Sequence, residues 1–109
     1  MADLLGGFEQ AVLLTVWKLR EEAYGRAILR GVQFALDREV AAGAVYATLD
    51  RLEQKNLIDS RAEAGTEVRA GRPRRYYRLS TAGIKALNES KAALEQVWRS
   101  AKWPLESKA

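Results

Sequence analysis

The chain of 109 residues has no cysteine, no histidine, two prolines and one methionine. Without cysteine there is no disulfide and no thiolate chemistry. Without either residue, imidazole general-base catalysis and nearly all zinc sites are excluded as well. No apolar run approaches the ~18 residues of a membrane span, and the N-terminus lacks the basic-then-apolar order of a signal peptide. The expected location is cytoplasmic, with no membrane partner. The sequence also lacks a Gly-rich phosphate loop, a polar cluster of paired carboxylates, and a nucleophile beside a base. No enzyme, metal or cofactor is therefore expected.

What is present describes one folded domain. The apolar fraction is 48% and the charged fraction 29%, an ordinary globular balance in a chain too short for two domains. Net charge is +4, which suits a polyanionic partner, although many basic proteins have none. The distribution says more than the sum. The stretch "RAGRPRRYYR", residues 69 to 78, holds five arginines and no acid, and no acid occurs between Val68 and Asn88. An ordinary solvated face mixes signs.

Periodicity predicts the element order helix, helix, helix, strand, strand, helix: a mainly α fold with a small β-hairpin. In "FEQAVLLTVWKL", residues 8, 11, 12, 16 and 19 form a helical stripe that Leu13, Leu14 and Trp17 widen, so Trp17 is expected in the core. A second helix covers "YGRAILRGVQFAL", with Ile28 and Val32 inward. The third, "AGAVYATLDRLEQKN", buries Val45, Leu49 and Leu52 at i, i+4, i+7. Gly43, Tyr46, Ala47 and Asp50 lie opposite, Thr48 and Arg51 sit on the flanks, and Asn56 is a stop signal. "LIDSRAEA" and "RRYYRLS" read as strands joined by the turn "GTEVRAGRP". In the second strand Tyr77 and Leu79 share one face, Tyr76 and Arg78 the other. The last helix is capped at Ser80 or Thr81. Its positions Ile84, Leu87, Lys91, Leu94, Trp98 and Ala101 form a heptad-like seam with one polar interruption.

Three pieces, "AYGRAIL", "VAAGAVYATLDRLEQKNLI" and "GRPRRYYRLSTAGIKAL", resemble in order the PadR-like winged helix-turn-helix transcriptional regulators, over roughly residues 8 to 100. The resemblance implies a homodimeric repressor acting on a near-palindromic operator in double-stranded DNA. Its third helix would enter the major groove, its hairpin wing would follow the backbone, and its C-terminal helix would make the dimer contact. Residues 1–80 would be the winged helix-turn-helix domain, and residues 81–109 the dimerisation helix and short tail. Ala42 and Ala44 depart from the Ser or Thr common in relatives, which removes hydroxyls able to cap the helix or bind a phosphate.

On this reading the DNA-contacting residues are Gly43, Tyr46, Thr48 and Arg51 of the third helix with Arg72, Arg74 and Arg75 of the wing. Guanidinium groups bind phosphates through paired hydrogen bonds or enter a narrow minor groove. For Tyr46 the alternative is a ring closing over the core; for Gly43, a residue merely tolerated in the first turn; for the wing, a hairpin kept soluble by charge. Neutralising on the order of 6 to 10 phosphates would cost ~10³ to 10⁵ in affinity between about 50 and 200 mM salt.

Ile84, Leu87, Leu94 and Trp98 are the expected dimer contacts. The alternative is packing of the last helix on the first helix of its own chain, and both can hold. Some PadR-like proteins bind flat aromatic molecules between paired tryptophans, and the resemblance places Trp98 as the residue that would hold such an effector; an interface anchor is the other reading. Two further functions stand beside the regulator: a winged-helix protein interaction module whose arginines meet an acidic surface, and a nonspecific DNA binder.

Overall fold

The computed structural model describes residues 4–63 and 74–107. Four helices and one hairpin follow in the expected order: α1 (Gly7–Leu19), α2 (Gly25–Leu36), α3 (Ala42–Gln54), β1 (Ile58–Ala62), β2 (Arg75–Leu79) and α4 (Thr81–Ser100). A 3₁₀ turn, Arg20–Glu22, links α1 to α2. The core lies where α1, α2 and α3 meet the base of the hairpin. Val12, Leu13, Val16, Ile28, Val32, Val45, Leu49, Leu52 and Ile58 are all buried there, each contributing about 1.5–3 kcal/mol relative to exposure.

Local chemistry fixes the turns. Asp37 ends α2 in the left-handed conformation (φ 53°, ψ 47°), which a short polar side chain tolerates, and its amide donates back to the Gln33 and Phe34 carbonyls. The Gln33 side-chain oxygen then accepts from the Val40 amide at 3.1 Å, closing the link into α3. Asn56, the expected stop, takes φ 64°. The Leu57 amide reaches the Leu52 carbonyl at 3.0 Å, so the chain turns sharply from α3 into β1.

The strands pair antiparallel, with Ile58 opposite Leu79, Ser60 opposite Tyr77, and Arg61 opposite Tyr76. Ile58 and Leu79 are buried under the helices, so Tyr77 and Leu79 share the inner face as their alternation requires. A single antiparallel bridge joins Tyr24 to Tyr76, and the Tyr77 amide donates to the Ala23 carbonyl at 2.8 Å. That bridge fastens the start of α2 to β2.

Ser80 caps α4, its hydroxyl accepting from the Gly83 amide at 3.0 Å and donating to the Asn56 carbonyl at 2.7 Å. Gly83, Ala86 and Ser90 form the buried face of α4. Leu5 closes that face from the N-terminal side, donating its amide to the Ser90 hydroxyl at 3.0 Å.

Two expectations are corrected. Trp17 is not core but 43% exposed, and Leu14 is 45% exposed beside it. At about 100° per residue both lie just outside the arc that carries Val12, Leu13 and Val16, and they look across a groove toward α4. Thr48, placed on the flank of α3, is buried at 2% exposure. It stands one step beyond Leu52 on the same inward arc.

Candidate nucleic-acid interface

The first turn of α3 carries no side-chain cap: Ala41 occupies the cap position in extended conformation and offers no acceptor. The leading amides of the helix are left for solvent or for an incoming anion, and the positive end of the helix dipole favours the anion. Gly43 is exposed in that turn, and a Cβ built on it would meet nothing within 4 Å. The backbone there is open to close approach by a partner.

Tyr46 follows one turn later and is 39% exposed. Its ring rests on the start of α2, where a Cβ on Gly25 would stand 2.8 Å from Cε1 and 3.1 Å from the hydroxyl oxygen. Only glycine at position 25 leaves Tyr46 this seat. The aromatic side chain thus neither sinks into the core nor floats free; it is fixed on α2 with its hydroxyl at the surface.

Around that hydroxyl opens a concavity of about 290 Å³, lined by Tyr24, Gly25, Arg26, Arg74, Arg75 and Tyr77 as well as Tyr46. Three guanidinium groups from two elements distant in sequence converge on it, with no acid among its lining residues. Arg74 stacks on the Tyr24 ring, 4.2 Å from its centroid, and its hydrogen bond to the Tyr76 side chain holds its pKa above the ordinary value. Arg75 donates to the Ser60 hydroxyl at 2.9 Å, and Ser60 donates in turn to the Glu53 carboxylate at 2.6 Å. This relay ties the wing to the C-terminal half of α3. Burial pushes the Tyr77 phenol up, Arg75 opposes it, and the Asp50 and Glu53 carboxylates add to the rise. The phenol therefore stays protonated at neutral pH and remains a donor.

Of the residues expected from sequence, Gly43, Tyr46, Arg74 and Arg75 are exposed around the first turns of α3. Arg51 is exposed farther along α3 and donates to the Thr48 hydroxyl at 3.3 Å. Buried Thr48 therefore orients Arg51 and has no free path to a base edge. Arg72 lies outside the described residues. Sequence reasoning missed Tyr24, Gly25 and Arg26. The signal was the "YGR" that opens α2, but nothing in the linear sequence shows that β2 folds back beside it.

On α4, Ile84, Leu94 and Trp98 are 39%, 37% and 50% exposed, while Leu87 is half-buried against the core. Trp98 meets Trp103 edge to face, with centroids 6.4 Å apart. Between α1 and α4 runs a largely apolar groove of about 440 Å³, bordered by Leu14, Trp17, Ile84, Leu87 and Lys91. Among the described residues, no helix is long and apolar enough to cross a membrane.

Comparison with known proteins agrees with this geometry. Residues 13–89 match the transcriptional regulator PadR-like family. The transcriptional regulator Rv3488 of Mycobacterium tuberculosis is 43% identical over 60 residues, which are 55% of this chain and 52% of that protein. The match thus spans about half the length of that relative. A PadR family transcriptional regulator from Eggerthella lenta superposes with TM-score 0.68 at 29% identity, over 89% of this chain and 82% of the other. A transcriptional regulator from Clostridium thermocellum shares the fold with TM-score 0.72 at 20% identity, over 91% of this chain and 90% of the other.

Proposed function

The chain belongs to the PadR-like family of transcriptional regulators, and from that premise we propose that it is a homodimeric repressor that binds a near-palindromic site in double-stranded DNA. The observation that carries this reading is the convergence of Arg26, Arg74, Arg75 and the Tyr46 hydroxyl on one concavity beside the start of α3. Phosphates are recognised by such clusters, since guanidinium donors pair with their oxygens and a phenol adds one more donor. With the phosphate backbone held there, the uncapped first turn of α3 at Gly43 comes against the major groove, and Arg51 reaches along it.

Residues 1–80 then form the reading head, and residues 81–109 the part that pairs. Ile84, Leu94 and Trp98 are apolar and exposed on the single chain. Pairing about a two-fold axis removes that surface from water and sets two copies of α3 about one DNA turn apart. Occupying the operator in the cytoplasm would block transcription. A small aromatic effector bound near Trp98 would release the DNA by favouring a different spacing of the two heads.

The test is fluorescence anisotropy of the intergenic DNA upstream of the gene against a scrambled duplex at about 150 mM salt. Wild type is compared with Arg26→Ala and with the double variant Arg74→Ala/Arg75→Ala. A preference of at least ~10³ for the upstream DNA, lost in the double variant, is expected. Equal affinity for both duplexes would make the protein a nonspecific DNA binder. No affinity for either would turn attention to an acidic protein partner.

A further inference from the structure

A second concavity, of about 260 Å³, lies between the end of α1 and the hairpin. Its floor is Val16 and Leu79, its walls are Trp17 and Tyr76, and Arg20, Arg61 and Arg78 stand around it. Glu21 is the one acid among its lining residues, so three guanidinium groups face one carboxylate. Asp59 stands opposite Arg78 in register. Among the described residues, however, no ion pair engages any of the three arginines.

Two of the guanidinium groups are already oriented. Arg20 lies over the Trp17 ring, 4.3 Å from its centroid, and Arg61 over the Tyr76 ring at 5.2 Å. Stacking on an aromatic face fixes the guanidinium plane and leaves its in-plane N–H donors for an oxyanion. Arg20 takes this position from a backbone of φ 54°, ψ −120°, a combination disfavoured for any residue with a Cβ. Outliers of this kind persist where the surroundings hold them, and they concentrate at ligand sites.

We propose that this concavity binds a mononucleotide, its phosphoryl group held by Arg20, Arg61 and Arg78 and its base against the Trp17 and Tyr76 side chains. The excess of guanidinium over carboxylate among the lining residues suits a phosphate monoester, which carries about −1.5 to −2 at neutral pH. The aromatic walls and aliphatic floor match a planar ring. The volume, just below the ~300–1,000 Å³ usual for small-molecule pockets, leaves room for at most one nucleotide.

Occupancy of this site reaches the DNA-binding cluster through Tyr76. That ring underlies Arg61 and contacts Tyr24 edge to face, centroids 5.7 Å apart. Arg74 in turn lies over the Tyr24 ring, 4.2 Å from its centroid. A bound dianion neutralises positive charge beside the wing, so it weakens DNA binding, by about fivefold or more. This last step rests on the DNA-binding reading given above; the site itself does not.

Isothermal titration calorimetry of the full chain without DNA tests the site, using adenosine 5′-monophosphate, adenosine, ribose 5-phosphate and inorganic phosphate as probes. The nucleotide is expected to bind once per chain. Adenosine, ribose 5-phosphate and inorganic phosphate should each bind at least about tenfold more weakly, as should the nucleotide to Arg61→Gln and Arg78→Gln. Arg75→Ala, on the DNA side, should bind it within about threefold of wild type. Circular dichroism checks that each variant is folded. No heat with the nucleotide, or equal affinity for inorganic phosphate, overturns the site. Anisotropy with upstream DNA is then repeated with and without the nucleotide. Unchanged DNA affinity overturns the coupling alone, whereas absence of DNA binding in both arms overturns the DNA reading and leaves the calorimetry to stand by itself.

Discussion

A methyl group added at Gly43 and one added at Gly83 have opposite consequences. At Gly43 the space is empty, and alanine in a helix is favoured over glycine by roughly 0.5–1 kcal/mol. Gly43→Ala should therefore raise the thermal midpoint of the free protein while lowering DNA affinity about tenfold, because the backbone no longer approaches the duplex as closely. Differential scanning fluorimetry and anisotropy read the two effects on one sample. A gain in stability with unchanged DNA affinity would remove Gly43 from the interface. At Gly83 the added Cβ would run into the Leu57 carbonyl oxygen, a backbone atom that cannot swing aside. Overpacking commonly costs about 1–3 kcal/mol, and a clash with backbone belongs at the upper end of that range. Urea denaturation of Gly83→Ala should show a loss of about 3 kcal/mol; a loss below ~1 kcal/mol would mean that α4 shifts freely on the hairpin.

Helix ends and helix faces set the next level of behaviour. The Glu9 carboxylate accepts from the Gly6 amide at 3.1 Å at the start of α1 and pairs with Lys55 at 3.2 Å just beyond the end of α3. Burial acts to raise its pKa, but the Gly6 amide, Lys55 and Arg51 outweigh burial, and the net pKa lies below the ordinary 4.5. A carboxylate with a depressed folded pKa stabilises the protein above its unfolded value, and that contribution is lost as pH falls through the folded value. Glu9→Gln should thus cost about 1 kcal/mol near pH 7, with the gap to wild type closing below pH 4.5. Urea titrations at several pH values check this, and a gap that persists under acid would assign the effect to packing. The faces of the helices were mostly legible in the sequence. Val45, Leu49 and Leu52 repeat at the helical period and are buried, and Asn56 ends the helix where a residue tolerant of positive φ stands. Thr48 was not legible, because a hydroxyl that can bond within its own helix neighbourhood loses little when buried, so polarity misreports its place. Trp17 misled in the other direction: it borders the groove between α1 and α4, and sequence alone does not show where two packed helices part. The partnership of Arg26 with Arg74 was equally hidden, since it arises from a strand returning beside the start of α2.

The whole molecule is elongated, 60 × 31 × 20 Å, with a radius of gyration of 16.3 Å, against about 13 Å for a compact chain of this length. The excess comes from α4. Its first turns are fixed through Ser80, Gly83, Ala86 and Ser90, yet every residue from Leu94 through Ser100 is exposed in the single chain. A helical stretch that no tertiary contact supports is marginal in water, because most helical stability in proteins comes from packing of one face and not from propagation alone. Leu94, Val97, Trp98 and Trp103 would moreover leave a continuous apolar surface exposed, which solvent does not favour. Both difficulties are resolved together if a second copy covers this segment, and the same contact would set the distance between the two basic clusters. Leu94→Glu places a carboxylate in that seam without touching the core of the reading head. Sedimentation at micromolar protein should then show wild type as a dimer and the variant as a monomer. Affinity for a two-half-site duplex should fall by about a hundredfold or more, because linkage of two heads commonly raises avidity by ~10²–10⁴. Affinity for a single half-site should be unaltered. If Leu94→Glu remains dimeric, or if wild type sediments as a monomer, the seam on α4 is not what joins the copies, and the spacing of the operator has to be sought in another surface of the molecule.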